Sequence, residues 1–144
     1  MKKFIFLSHK ADAKFQAFGK TLEMLFGNAA LAMVSLFLNS KTKVKRSVKK
    51  KIKVQGKDLE SLLYNFLEEF LFLLDSERFL ACKIKNIKID KPKGKLGKYF
   101  LEAEIYGDGA EKYNFVGSVK AVTYNQMFVK KIGERFVCQV VLDM

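Results

Sequence analysis

One histidine, one proline and two cysteines occur in this 144-residue chain, and 15 acidic side chains face 27 basic ones. Each shortage removes a class of protein. With a single imidazole, His9, and no polar partner beside either cysteine, a nucleophile with its base is hard to assemble. Cys82 and Cys138 lie far apart in the apolar stretches FLACKI and FVCQVV, without a CxxC or Cys/His pairing that would hold zinc. Buried, inert thiols are the expectation, and a reducing cytoplasm is the compartment they favour. A single proline and 49% hydrophobic residues exclude a disordered tail, a collagen-like repeat and a linker-rich array.

Long apolar runs are missing too. The most hydrophobic stretch, 24–38, is interrupted by Gly27, Asn28 and Ser35 and falls short of the roughly 20 apolar residues of a membrane span. It reads as a buried helix in a soluble protein. At the start, Phe4 to Leu7 supply too few apolar residues before Ser8 for a secretory segment, which needs about 7 to 15. No GxGxxG, Walker loop, HExxH or GxSxG is present. No internal repeat or linker is evident, and the length suits one domain, 1–144.

What the chain has is positive charge and a strong hydrophobic pattern. The net charge is +12 and the isoelectric point about 9.7. Such a surface suits RNA, a phosphate-rich partner or an acidic membrane, or serves only to keep a Phe-rich protein soluble. Residues 21–39 place Leu22, Leu25, Phe26, Ala29, Met33 and Leu36 on one helical face, with Thr21 as N-cap and Glu23 in the first turn. A second helix, 58–78, repeats Leu59, Leu62, Leu63, Phe66, Leu67 and Phe70 behind an Asp58 cap. Its polar side, with Asn65, Glu68, Glu69 and Asp75, reads as a solvated face.

Between the helices, 43–54 alternates Val44, Val48, Ile52 and Val54 with Lys43, Lys45, Lys49, Lys51 and Lys53, a strand with a lysine row on one side. Further strands are expected over 3–7, 14–18, 80–89, 98–106, 115–124, 127–132 and 135–142, separated by turn signals such as Asn125-Gln126 and Gly133. Two adjacent amphipathic helices laid on a mostly antiparallel sheet of about seven strands make an α+β two-layer sandwich.

Two polar segments abut apolar runs: Ser8 to Asp12, and the closing Val141-Leu142-Asp143-Met144. Asp143 and the carboxylate on Met144 put two anionic oxygen groups on adjacent residues, the ligand type of a hard cation such as Ca²⁺ or Mg²⁺.

These pieces together resemble the archease family. Leu7-Ser8-His9-Lys10-Ala11-Asp12 resembles its D-H-x-A-D segment, and Ala17 to Glu23 with Asn28-Ala29-Ala30 resembles the entry to its first helix. Gly56 to Leu63 with Asn65-Phe66-Leu67 resembles the second helix, and Lys120 to Tyr124 and Val140 to Met144 resemble the C-terminal pattern. The resemblance implies a non-enzymatic accessory protein that activates the GTP-dependent tRNA-splicing ligase, promoting ligase guanylylation and turnover and meeting tRNA only through that partner. It also implies a divalent metal site of Asp12, Asp143 and Met144, with His9 and Ser8 around it.

Three positions depart from the family pattern: Ser8 stands where Asp is frequent, and Tyr113 and Asn125 stand where His is common. The alternative function is a basic RNA-binding or RNA-chaperone module that grips phosphate with the lysine row and acts without the ligase. A metal-dependent hydrolase would need catalytic residues beyond the three ligands.

Overall fold

A computed structural model describes residues 2–8 and 12–144. The described elements are β1 (Phe4–Leu7), β2 (Ala13–Gly19), α1 (Leu22–Val34), β3 (Val48–Gly56), α2 (Leu59–Glu77), β4 (Phe79–Asp90), β5 (Tyr99–Gly109), β6 (Ala121–Ile132) and β7 (Arg135–Asp143). All the strand pairs are antiparallel, and they form a four-stranded sheet, β1-β2-β7-β6, and a three-stranded sheet, β3-β5-β4. The two helices pack on these sheets as an α+β sandwich, with the expected seven strands divided between two sheets.

The caps behave as the sequence indicates. Thr21 Oγ1 accepts the Met24 N–H at 3.1 Å, and Asp58 and Ser61 form a reciprocal capping box. The first helix nevertheless stops at Val34 rather than continuing to 39. Leu36 N–H donates to Met33 O and Phe37 N–H to Val34 O, so the chain tightens into i→i+3 turns that tuck Phe37 into the core. The lysine-rich strand begins at Val48, not 43. The expected strands 115–124 and 127–132 are one strand, β6, whose register slips between Thr123 and Phe128 where Gln126 takes a left-handed φ of 56°. Asn-Gln, read as a turn, is a bulge; both need the same tolerance of positive φ.

A repeat is present after all. Gly19-Lys20-Thr21-Leu22-Glu23-Met24-Leu25-Phe26-Gly27-Asn28 aligns with Gly56-Lys57-Asp58-Leu59-Glu60-Ser61-Leu62-Leu63-Tyr64-Asn65. In each copy a strand ends on a glycine packed against the helix that follows: a Cβ on Gly19 would lie 2.5 Å from Leu25 N, and one on Gly56 2.5 Å from Leu62 N. In each copy the asparagine returns to the strand, Asn28 Nδ2 donating to Phe18 O and Asn65 Nδ2 to Gln55 O, both at 2.7 Å. The symmetry extends to the sheets: β2-β7-β6 corresponds to β3-β5-β4. The unit is therefore β-α-β-β, and the second copy, β3-α2-β4-β5, is inserted within the first, whose strands β6 and β7 close the chain.

Each helix consequently packs on the sheet of its own copy and reaches the far strand of the other, α1 touching β4 and α2 touching β6. The core fills between them, with Phe15, Leu25, Phe26, Leu62, Phe66 and Ile105 fully buried. The polar side of α2 does more than meet water. Besides the Asn65 bond, Glu68 Oε2 accepts the Val122 N–H at 2.9 Å, and Tyr64 stacks on Tyr124 with ring centroids 4.3 Å apart. These contacts tie the outer strand β6 to the helix.

Candidate functional site

The β2–β7 register pairs Ala13 with Leu142, and the β7–β6 register pairs Ala121 with Asp143. Asp12 immediately precedes β2 and Asp143 ends β7, each next in sequence to the Ala13–Leu142 pair. The structure thus brings two of the three expected ligands to one end of the four-stranded sheet. The third, Met144, follows immediately, and its partly buried side chain packs against the core. That contact anchors the main chain beyond Asp143, while the Asp143 carbonyl accepts the Lys120 N–H at 2.8 Å. Because β7 is flanked by β2 and β6, its C-terminal end is held from both sides. Ser8 follows Leu7, the partner of Lys14, and so lies at this end of the sheet. His9 is outside the described residues.

Next to the acidic end runs a polar strap that no motif in the sequence signals. Lys14 Nζ donates to Gln126 Oε1 at 2.8 Å, Gln16 Nε2 donates to Gln139 Oε1 at 3.0 Å, and Gln139 Nε2 donates to Gln126 O at 2.9 Å. The strap joins β2, β7 and the β6 bulge across the outer side of β7, where Val137, Gln139 and Val141 are buried. The available signal was Gln139, a lone amide inside an otherwise apolar strand.

Of the positions where family histidines are common, Asn125 is exposed in the β6 bulge, its N–H on Thr123 Oγ1 at 3.3 Å. Tyr113 is engaged elsewhere: its hydroxyl donates to Asp108 Oδ2 at 2.7 Å and accepts the Lys45 N–H at 3.0 Å. Asp108 is buried and also accepts from Ser47 Oγ, Lys112 Nζ and Gly109 N. The Ser47 and Tyr113 hydroxyls and the Lys112 ammonium hold its carboxyl well below the usual carboxylate range. This network is structural, fastening the 43–47 segment to β5.

Among the described residues no three His, Cys, Asp or Glu side chains converge as a metal cluster. At the acidic end the expected set is two carboxylates, of Asp12 and Asp143, with the main-chain oxygen of Met144 beside them. This set fits a hard cation that keeps water or takes ligands from a partner; it does not fit a closed zinc cage. Both cysteines are free, and burial pushes the Cys138 thiol up to about 12.

The lysine row has close neighbours. On the solvent face of the three-stranded sheet, Lys51 and Lys53 stand across from Glu104 and Glu102 of β5, and Lys85 and Lys88 of β4 oppose the same two glutamates. Lys49 Nζ lies 3.1 Å from Glu104 Oε2. The row is one side of a lysine–glutamate–lysine ladder rather than an uninterrupted cationic groove. Among the described residues no helix is long and apolar enough to cross a membrane.

The archease protein family (MTH1598/TM1083) matches residues 4–144, which include both aspartates and Met144. The chain belongs to the archease family. It is 36% identical to protein archease of Methanosarcina barkeri over 148 aligned residues, covering 99% of this chain and 97% of that one. It is 37% identical to protein archease of Pyrococcus furiosus over the full length of both. Its fold matches the solution structure of Methanobacterium thermoautotrophicum protein 1598 with a TM-score of 0.84 at 34% identity, covering 100% of both chains. An archease of Thermotoga maritima, described as a possible chaperone, shares the fold with a TM-score of 0.61 at 16% identity, over 96% of this chain and 94% of that one.

Proposed function

We propose that this archease-family chain is a non-enzymatic accessory factor that activates the GTP-dependent tRNA-splicing ligase, promoting its guanylylation and multiple turnover. In this reading a divalent cation of the Ca²⁺ or Mg²⁺ class is held by Asp12, Asp143 and the Met144 main-chain oxygens, with Ser8 and His9 around it. What supports the reading is the Ala13–Leu142 pairing of β2 with β7, since Asp12 is the residue before Ala13 and Asp143 the residue after Leu142. Asp143 is exposed at the end of a strand paired on both edges, and Met144 beside it is packed against the core, which favours a fixed position for this end of the chain. When bound, a hard cation supplies positive charge for phosphate oxygens. The protein's own part is to hold the two carboxylates at a fixed separation and to leave the outward side open for a partner to complete. RNA is then met through the ligase. The lysine–glutamate pairing on the other sheet supports this over direct RNA capture, since the glutamates oppose phosphate along the centre of the face.

The test is RNA joining by the purified cognate ligase under single-turnover and multiple-turnover conditions, with and without this protein. A marked gain in turnover is expected; no gain overturns the reading.

A further inference from the structure

Among the positions at which the two repeats differ, one leaves a groove. On α2, Tyr64 stacks on Tyr124 and Glu68 binds the Val122 N–H, so the space between that helix and β6 is filled by the chain itself. The corresponding residues of α1 are Gly27 and Leu31, and they face β4. A glycine inside a helix costs about 1 kcal/mol relative to alanine. Among the described residues, outside its own helix backbone and chain neighbours, the only heavy atom within 4 Å of a Cβ built at Gly27 is Ile87 Cδ1, at 3.2 Å. A cavity of about 500 Å³ therefore opens over Gly27, with Met24, Leu31, Ile84 and Ile87 as its apolar walls. Met24 is 48% exposed there. A second cavity of about 490 Å³, also lined by Leu31, lies along Val34, Ser35 and Leu38.

The rim is cationic. Lys2, Lys3, Lys20 and Lys83 line the first cavity against one acid, Glu23, and Lys43 and Arg46 line the second with no acid. Apolar walls under a lysine rim complement a segment that is itself both acidic and apolar. Nucleic acid fits less well, because neither cavity is lined by an aromatic ring on which a base could stack. A second copy of the chain, at +12, is repelled.

We propose that the groove between α1 and β4 docks an acidic segment of a partner protein, which sets a bulky side chain over Gly27 where the other repeat carries its own Tyr64. The groove starts beside Lys20, at the opposite end of β2 from Asp12, so an occupant leaves the acidic end uncovered. The proposal stands apart from the ligase reading and does not need the metal.

The probe is a short synthetic peptide with glutamates flanking a central Phe-Leu, titrated into the intact protein and followed by NMR at the methyls of Met24, Leu31, Ile84 and Ile87. Saturable shifts confined to this group are expected. Gly27→Tyr, which fills the slot from within as Tyr64 does, and Lys83→Glu, which reverses rim charge without touching the core, should each weaken binding by about tenfold or more. Glu102→Gln on the lysine ladder should leave it unchanged. The proposal is overturned by an absence of saturable shifts, by shifts centred on Lys49 to Lys53, by equal response to a Phe→Ser peptide or to oligouridylate, or by undiminished binding to a folded Gly27→Tyr and to Lys83→Glu.

Discussion

Asn28 donates to the Phe18 carbonyl at 2.7 Å and thereby closes the same strand-to-helix joint that Asn65 closes at Gln55. Each bond ties a helix side chain to a main-chain carbonyl next to the glycine that ends the strand, so the amide is part of the joint. Asn28→Ala should cost about 1 to 3 kcal/mol, since it leaves a part-buried carbonyl without that donor. Asn65→Ala should cost less, about 0.5 to 1.5 kcal/mol, because Gln55 O is exposed and water can replace the donor. Urea unfolding of both variants reads the difference; equal costs would argue against this account.

The glycines of the joints set a steric limit. Neither Gly19 nor Gly56 takes a positive φ, so an alanine at either position meets only a contact, that of its Cβ with the helix backbone at 2.5 Å. Relief requires moving helix from strand. Gly19→Ala and Gly56→Ala should each destabilise by about 1 to 3 kcal/mol or more, although alanine lowers the entropy of the unfolded chain. A gain in urea midpoint in either variant would mean that the joint yields more easily than its packing indicates.

Asp108 makes stability fall in acid. Its carboxyl is held below the ordinary range chiefly by Ser47, then by Tyr113 and Lys112, so its contribution is fully present above the unfolded value of about 3.9. It is lost as the pH drops below that value toward the lowered folded one. Asp108→Asn should therefore lower the urea midpoint at neutrality, and the gap to the parent protein should narrow progressively below about pH 4. A gap independent of pH would show that the carboxylate charge is not what the network uses.

Helices, caps and most strands could be read from the sequence because their signals are local. Thr21 and Asp58 precede apolar residues at helical spacing, and β3 alternates by twos. The β6 bulge could not be separated from a turn, since Asn125-Gln126 satisfies either; only pairing with both Thr123 and Phe128 to β7 decides. The repeat is written in the residues but masked, because its copies differ at Thr21/Asp58, Met24/Ser61, Phe26/Leu63 and Gly27/Tyr64. The Asp12–Asp143 juxtaposition came from a family resemblance. No local pattern reveals that residues at opposite ends of the chain share a register.

The ladder of Lys49, Lys51, Lys53, Lys85 and Lys88 around Glu102 and Glu104 predicts weak, strongly salt-dependent binding to RNA by the parent protein. Replacing both glutamates by glutamine should raise affinity for a single-stranded oligonucleotide and steepen the dependence of log K on log salt. If the parent already binds tightly at physiological salt and the double variant is no better, the glutamates do not oppose phosphate, and the RNA-binding alternative gains.

The acidic end makes the most demanding prediction. Asp12 immediately precedes β2 and Asp143 ends β7, so neither carboxylate belongs to the core, and loss of either should leave the fold intact while weakening the proposed cation site. Asp12→Asn and Asp143→Asn should each weaken Ca²⁺ or Mg²⁺ binding by calorimetry and abolish ligase activation, with urea midpoints shifted little. One residue added after Met144 should do the same, by changing the main-chain oxygens offered there while the Met144 side chain keeps its place against the core. Chelation should reversibly remove activation from the parent protein. Activation that survives both substitutions and the extension would mean that the two aspartates meet for structural reasons and that the partner is engaged elsewhere. Loss of activation with metal binding intact would assign the carboxylates to the partner contact instead of to the cation.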